Sequence, residues 1–201
     1  MAAQNALLKT QIGLYFGSFN PIHIGHLIIA NYFTEHTPLE AVWLVVSPHN
    51  PLKKKQTLLA DYHRLALVNC AIDPYPKLKA SNIEFGLPQP NYTIDTLVRL
   101  EETNPQCKFH LIMGQDNLQS IHKWKNYELL LERYPIWVYP RPKAKQPSEK
   151  VLNKADIHWV EAPLIEIAAT HIRQDIKSGY NVRPLLPEAV WQYIDEMHFY
   201  K

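Results

Sequence analysis

The chain has 201 residues, 46% of them hydrophobic and 20% charged, with a formal net charge of +2. That length suits one good-sized core, and the small charge leaves no nucleic-acid footprint while still favouring anionic small molecules. Its cysteines, Cys70 and Cys107, stand alone in separate segments, which excludes a disulfide framework or a zinc pattern and predicts buried thiols in a reducing compartment.

No apolar run approaches the ~20 residues of a spanning helix. The stretch Met1–Thr10 lacks the apolar centre of a secretory signal. These features predict a soluble cytoplasmic protein with no membrane partner. In chain order, QIGLYF (11–16) reads as a buried strand stopped by Gly17. HIGHLIIANYFTEH (23–36) then follows with helical spacing. AVWLVVS (41–47) is a second strand, DYHRLALVNCAI (61–72) an amphipathic helix, and LKASNIEF (78–85) a third strand. TIDTLVRLEE (93–102) reads as a helix capped by Thr93, and CKFHLIM (107–113) as a fourth strand. YELLLERY (127–134) is helical, PIWVYP (135–140) a fifth strand, and DIHWVEA (156–162) a sixth. The Pro- and Lys-rich 139–150 stretch reads as a surface loop. THIRQDIKSG (170–179) is a helix closed by Gly179, and LPEAVWQYIDEM (186–197) a last helix with Pro187 near its start.

Strands alternating with helices predict an α/β chain, a parallel sheet covered on both faces. Ligands in such folds sit at the carboxyl ends of the strands, near the switch in strand order. Four polar segments fall there: 17–26, 48–55, 114–117 and 170–173.

In the first of them, Gly17 and Ser18 allow close backbone approach, Pro21 stiffens the turn, and Gly25 leaves room between His23 and His26. The two histidines lie on one face near a helix N-terminus, where unpaired N–H groups favour phosphate. On residues alone, phosphate binding competes with zinc and with core histidines. The zinc reading lacks a third ligand. His63 and Arg64, side by side on a predicted helix, read as structural.

The stretch GSFNPIHIGH resembles the H-x-G-H signature of the nucleotidyltransferase superfamily. SPHNPLKK (47–54), YHRLAL (62–67), PNYTIDTL (90–97), IMGQDN (112–117), WKNYELLL (124–131), PRP (140–142), IAATHIR (167–173) and LLPEAVWQYI (185–194) follow. In that order they resemble blocks of the bacterial nicotinate mononucleotide adenylyltransferases. The resemblance implies a Rossmann-like doubly wound fold and one nucleotidyltransferase domain over 1–201. It also implies a reaction in which AMP passes from ATP to nicotinate mononucleotide, giving deamido-NAD and pyrophosphate.

It further implies roles for individual residues. His23, His26, Thr170 and Arg173 would be catalytic. Gly17, Ser18, Phe19, Gly25, Gly114 and Asp116 would bind ATP. Lys53, Tyr92, Thr93, Trp124 and Arg141 would bind the mononucleotide. Mg²⁺ would be held mainly by the ATP phosphates rather than by a protein metal site. The implied partners are small molecules; a homo-oligomer is left open. The sequence departs from the family at Ala168, where a serine is usual, and at Asn20, where most bacterial members carry Asp. Competing readings are a dual-specificity or amide-using adenylyltransferase, a sibling transferase with a phosphopantetheine or cytidylyl acceptor, and an inactive nucleotide-binding protein.

Overall fold

The computed structural model describes residues 9–48, 58–142 and 144–201. Six strands form one parallel sheet: β1 (Thr10–Gly17), β2 (Ala41–Val46), β3 (Leu78–Ser81), β4 (Cys107–Gly114), β5 (Ile136–Tyr139) and β6 (Ile157–Trp159). Their order is β3-β2-β1-β4-β5-β6. The chain therefore winds outward from β1 in one direction and from β4 in the other. The switch in strand order lies between β1 and β4, which pair with Leu14 opposite Leu111 and Tyr15 opposite Ile112.

The helices are α1 (Ile24–His36), α2 (Asp61–Ile72), α3 (Thr93–Thr103), α4 (Gln115–Gln119), α5 (Tyr127–Arg133), α6 (Glu149–Leu152), α7 (Ala169–Lys177) and α8 (Glu188–Glu196). Two cores separate them by sheet face. Phe33 of α1, Leu67 of α2, Ile172 of α7 and Ile194 of α8 pack with Tyr15 and Ile112 on one side. Leu97 of α3, Leu118 of α4, Leu130 of α5 and Val151 of α6 pack with Leu14 and Leu111 on the other. Neighbouring strand residues thus point into opposite cores, which is why the central strands read as unbroken apolar runs. The α/β, Rossmann-like doubly wound fold is the one expected. Among the described residues, no helix is long and apolar enough to cross a membrane.

Several elements differ from their sequence reading. The third strand ends at Ser81, and Ile83–Gly86 coil into a 3₁₀ turn. Glu84 there is buried, with its carboxylate accepting from the Thr96 hydroxyl of α3 at 2.8 Å. The turn therefore follows a tertiary contact rather than strand alternation. Helices α4 and α6 are too short to show a helical period. The cap of α3 is Tyr92, not Thr93, which is already inside the helix. Gly179 follows the end of α7 at φ 77°, as a C-terminal glycine should. Cys107 is buried and Cys70 half-buried; both are free thiols.

Arg64 is fully buried on α2. Its Nη1 donates to the carbonyls of Ser18 at 2.6 Å and Ser47 at 2.9 Å. Its Nε donates to Leu59 at 3.0 Å, and its Nη2 pairs with Asp61 at 2.6 Å. One guanidinium thus satisfies the chain as it leaves β1, as it leaves β2 and as it enters α2. His63 beside it bonds the Tyr193 hydroxyl of α8 at 2.9 Å and packs on Phe199. Both residues are structural, as read.

Replacing Arg64 by Met keeps the bulk but strands these carbonyls. The expected loss is about 3 kcal/mol or more, the scale of removing one partner from a buried charged network. Thermal melting should then fall by roughly 6–12 °C for a chain of this size. A melting point within about 2 °C of the parent would contradict the assignment.

Candidate active site

At the β1–β4 switch lies a cleft of about 760 Å³. Its walls include Tyr15 to Asn20 from β1 and the following turn, His23 and His26 of α1, Asp116 of α4, Trp124, Arg141 and the 165–170 segment with Arg173. Of the residues singled out from sequence, Gly17, Ser18, Phe19, His23, Gly25, His26, Asp116, Trp124, Arg141, Thr170 and Arg173 come together on it.

Tyr92, Thr93 and Gly114 do not line it. Tyr92 and Thr93 stand at the start of α3, where Lys125, the neighbour of Trp124, lies 4.6 Å over the Tyr92 ring and pairs with Asp95 at 2.9 Å. Gly114 acts indirectly: a Cβ there would meet Asp116 Oδ1 at 2.5 Å and Arg141 at 3.1 Å. Its bareness lets those two side chains reach the cleft. Lys53 lies outside the described residues.

The first turn is built around Phe19, which is buried with a left-handed φ of 43°. Its ring packs edge-on against Tyr15 and His26. A Cβ on Gly17 would meet that ring at 2.7 Å. Gly17 is therefore also constrained by the protein's own packing against Phe19. Likewise the space above Gly25 is occupied by Ile165, 2.7 Å from where its Cβ would be.

His23 and His26 stack with ring centroids 3.7 Å apart and planes 27° from parallel. The His23 backbone N–H donates to His26 Nδ1 at 3.3 Å, so the neutral His26 ring carries its proton on Nε2. His23 is buried, and its Nδ1 has no hydrogen-bond partner among the described residues. Burial, and next the positive charge of Arg141, lower its pKa from 6.5 to about 4. Two stacked imidazolium ions at this distance would repel, which points the same way. His23 therefore offers a neutral N–H donor rather than a cation.

The second anion-facing element is the start of α7. Its cap position is Ala168, and no side chain caps it. The His171 and Ile172 amides bond back to the Ala168 carbonyl, while those of Ala169 and Thr170 open the helix at the cleft wall. The residue missing relative to the family pattern is thus the cap hydroxyl itself. Arg173 lies one turn on. Its Nη1 donates to the Asn20 carbonyl at 2.7 Å and its Nη2 to the Thr170 hydroxyl at 3.3 Å.

On the cleft floor, the hydroxyls of Tyr15 and Tyr139 meet at 3.3 Å, and burial holds the Tyr15 pKa well above its usual value. Arg141 lies over Tyr139, donates to the Ile165 carbonyl at 3.2 Å and faces Asp116 Oδ1 at 3.8 Å. Among the described residues, no group of three or more His, Cys, Asp or Glu could hold a metal ion. Asn20 and the tyrosine pair line the cleft without having been chosen from sequence as ligand contacts. The Tyr15–Tyr139 and Asn20–Tyr200 contacts span 124 and 180 residues, so no local pattern marks them.

Stacked imidazoles and an open helix N-terminus at the switch point of a doubly wound sheet define a nucleotide-handling α/β protein. A family model described as cytidylyltransferase-like matches residues 14–175. A relative in Flavobacterium psychrophilum named nicotinate-nucleotide adenylyltransferase is 58% identical over 95% of this chain and 99% of its own. One of the same name in Christiangramia forsetii is 55% identical over 96% and 100%. The chain belongs to the cytidylyltransferase-like nucleotidyltransferases and, within them, to the nicotinate-nucleotide adenylyltransferase family. The fold is shared with the Plasmodium falciparum nicotinic acid mononucleotide adenylyltransferase solved with NaAD, at a TM-score of 0.79 and 19% identity, covering 95% of this chain and 97% of that one.

The buried histidines set a pH dependence of stability. His110 on β4 accepts from Trp137 Nε1 at 3.2 Å and bonds Gln11 at 2.7 Å, and burial also lowers its pKa to about 4. The unfolded chain binds these protons first, near pH 6.5. Stability should therefore be full above that pH and fall progressively as the pH drops toward 4. Urea unfolding across that window checks this. His110→Phe, outside the cleft, should flatten the fall by roughly half; an unchanged slope would contradict it.

Proposed function

We propose that the protein transfers the adenylyl group of ATP to nicotinate mononucleotide, giving deamido-NAD and pyrophosphate. The observation that carries this reading is the stacked His23–His26 pair on the same cleft as the open start of α7 and Arg173. The 5′-phosphate of the mononucleotide attacks the α-phosphorus of ATP in line, and the bond to the bridging oxygen of the leaving pyrophosphate breaks. No covalent enzyme intermediate is required.

The protein's work is positioning and charge stabilisation. His26, through Nε2–H, and His23 donate to phosphoryl oxygens as charge builds on them. The Ala169 and Thr170 amides, the Thr170 hydroxyl and Arg173 receive the departing pyrophosphate. Asp116 accepts from ribose hydroxyls, and Gly114 gives it room. Gly17, Ser18, Phe19 and Gly25 shape the junction of the two substrates. Trp124 stacks on the pyridine ring, and Arg141 binds the mononucleotide. Free amides at the start of α3, around Tyr92 and Thr93, suit the ring carboxylate. Lys53 serves the substrate phosphates.

Asp116 and Glu166 are the carboxylates among the lining residues. When bound with ATP, Mg²⁺ would be held mainly by the nucleotide's phosphates and would supply neutralisation of their charge. The shared sheet supports reading residues 1–201 as one domain. The free thiols suit a reducing cytoplasm.

Pyrophosphate release with ATP, Mg²⁺ and a panel of acceptors tests the assignment. The expected result is activity with nicotinate mononucleotide, preferred ~10- to 10²-fold over nicotinamide mononucleotide because an amide turns its own N–H donors toward the donors at the start of α3. His26→Ala should lower turnover by ~10² or more with little change in melting temperature. Full activity in that variant, or preference for a phosphopantetheine or cytidylyl acceptor, would overturn it. Equal use of acid and amide would leave the reaction but remove the carboxylate cradle.

A further inference from the structure

The segment after α8 reaches back to the active-site turn. Its backbone reverses through two left-handed residues, His198 at φ 53° and Tyr200 at φ 65°. Such angles on non-glycine residues persist where surrounding contacts hold them. Here the Phe199 amide donates to the Ile194 carbonyl at 3.0 Å, and the Phe199 ring lies 4.7 Å from His63. The reversal delivers the Tyr200 hydroxyl to Asn20 Oδ1 at 2.7 Å.

Asn20 is buried at the end of the Gly17–Asn20 turn and lies on the cleft wall. Its side-chain oxygen also accepts from the Leu59 amide at 3.3 Å. Its backbone carbonyl accepts from Arg173 Nη1 at 2.7 Å. A chain of short hydrogen bonds thus runs from Tyr200 through both ends of one residue to the guanidinium facing the phosphates. Removing the hydroxyl takes away a 2.7 Å bond to the Asn20 side chain, so the carbonyl that holds Arg173 loses part of its anchor.

We infer that Tyr200 is a positioning residue for adenylyl transfer, acting through Asn20 on Arg173. The inference rests on the adenylyl-transfer reading of the cleft. It predicts that the hydroxyl, rather than the ring, matters for turnover.

Tyr200→Phe keeps the ring and removes the hydroxyl. Its kcat with ATP and nicotinate mononucleotide should fall about 5- to 30-fold, the scale of a displaced positioning group, while the KM for the mononucleotide stays within about twofold. In an Arg173→Lys background the same change should cost no more than about twofold, because the two act through one contact. Lys201→Ala, which breaks exposed contacts with Asp195 of α8 and His198 but leaves the Tyr200–Asn20 bond, should leave activity unchanged.

A merely structural Tyr200 would lower the melting temperature at constant kcat, or give the same fold loss in both backgrounds; either result overturns the inference. If Tyr200→Phe does not fold, Asn20→Ala removes the acceptor instead and is read the same way. A parent protein that releases no pyrophosphate from ATP and the mononucleotide removes the reading and the inference together. An active parent with an equally active Tyr200→Phe removes the inference alone.

Discussion

A turn leaving the middle of a parallel sheet exposes carbonyls that the sheet no longer pairs, and here two arginines supply the donors. Arg64 takes the Ser18 carbonyl at 2.6 Å from beneath, and Arg173 takes the Asn20 carbonyl at 2.7 Å from the cleft side. Between them the Phe19 ring fills the space that Gly17 leaves. Unmade buried hydrogen bonds are costly, so this turn has few alternative shapes. Everything that meets the substrates follows from it: where α1 starts, how His23 and His26 stack, and where Arg173 points.

The two arginines divide the work. Arg64 is wholly buried and its donors are committed to the chain itself, so it fixes geometry. Arg173 spends donors on Asn20 and Thr170 and stands at the cleft, so it couples geometry to charge. His23 adds a donor without adding a cation, because burial keeps it unprotonated at neutral pH. A site of this kind grips a polyphosphate without the repulsion that two stacked imidazolium ions would bring. The open cap of α7 at Ala168 leaves its first amides for the ligand rather than for a side chain.

Much of this was legible in the sequence, for reasons that mark its limits. The apolar runs of β1 and β4 and the spacing of Leu67, Val68 and Ala71 on α2 carry their own periods, so the sheet and the main helices could be read directly. Gly25 between His23 and His26, followed by the ordered blocks downstream, pointed to the family. What escaped depends on distant partners. Strand β3 stops at Ser81 because Glu84 must reach Thr96. Helices α4 and α6 are shorter than the pattern that would reveal them. The caps of α3 and α7 fall on Tyr92 and Ala168, neither of which caps with its side chain, so propensity favoured Thr93 at the first. Tyr200 meets Asn20 across 180 residues, a separation at which no local signal survives.

The central claim is that the cleft moves an adenylyl group from ATP directly to a mononucleotide phosphate. The most direct test follows the phosphorus. The protein is incubated with Mg²⁺, nicotinate mononucleotide and ATP labelled in either the α- or the γ-phosphate. The account predicts that the α-label appears in deamido-NAD and the γ-label in pyrophosphate, with none retained on the protein. The γ-label in inorganic phosphate, or the α-label bound covalently to the chain, would contradict it.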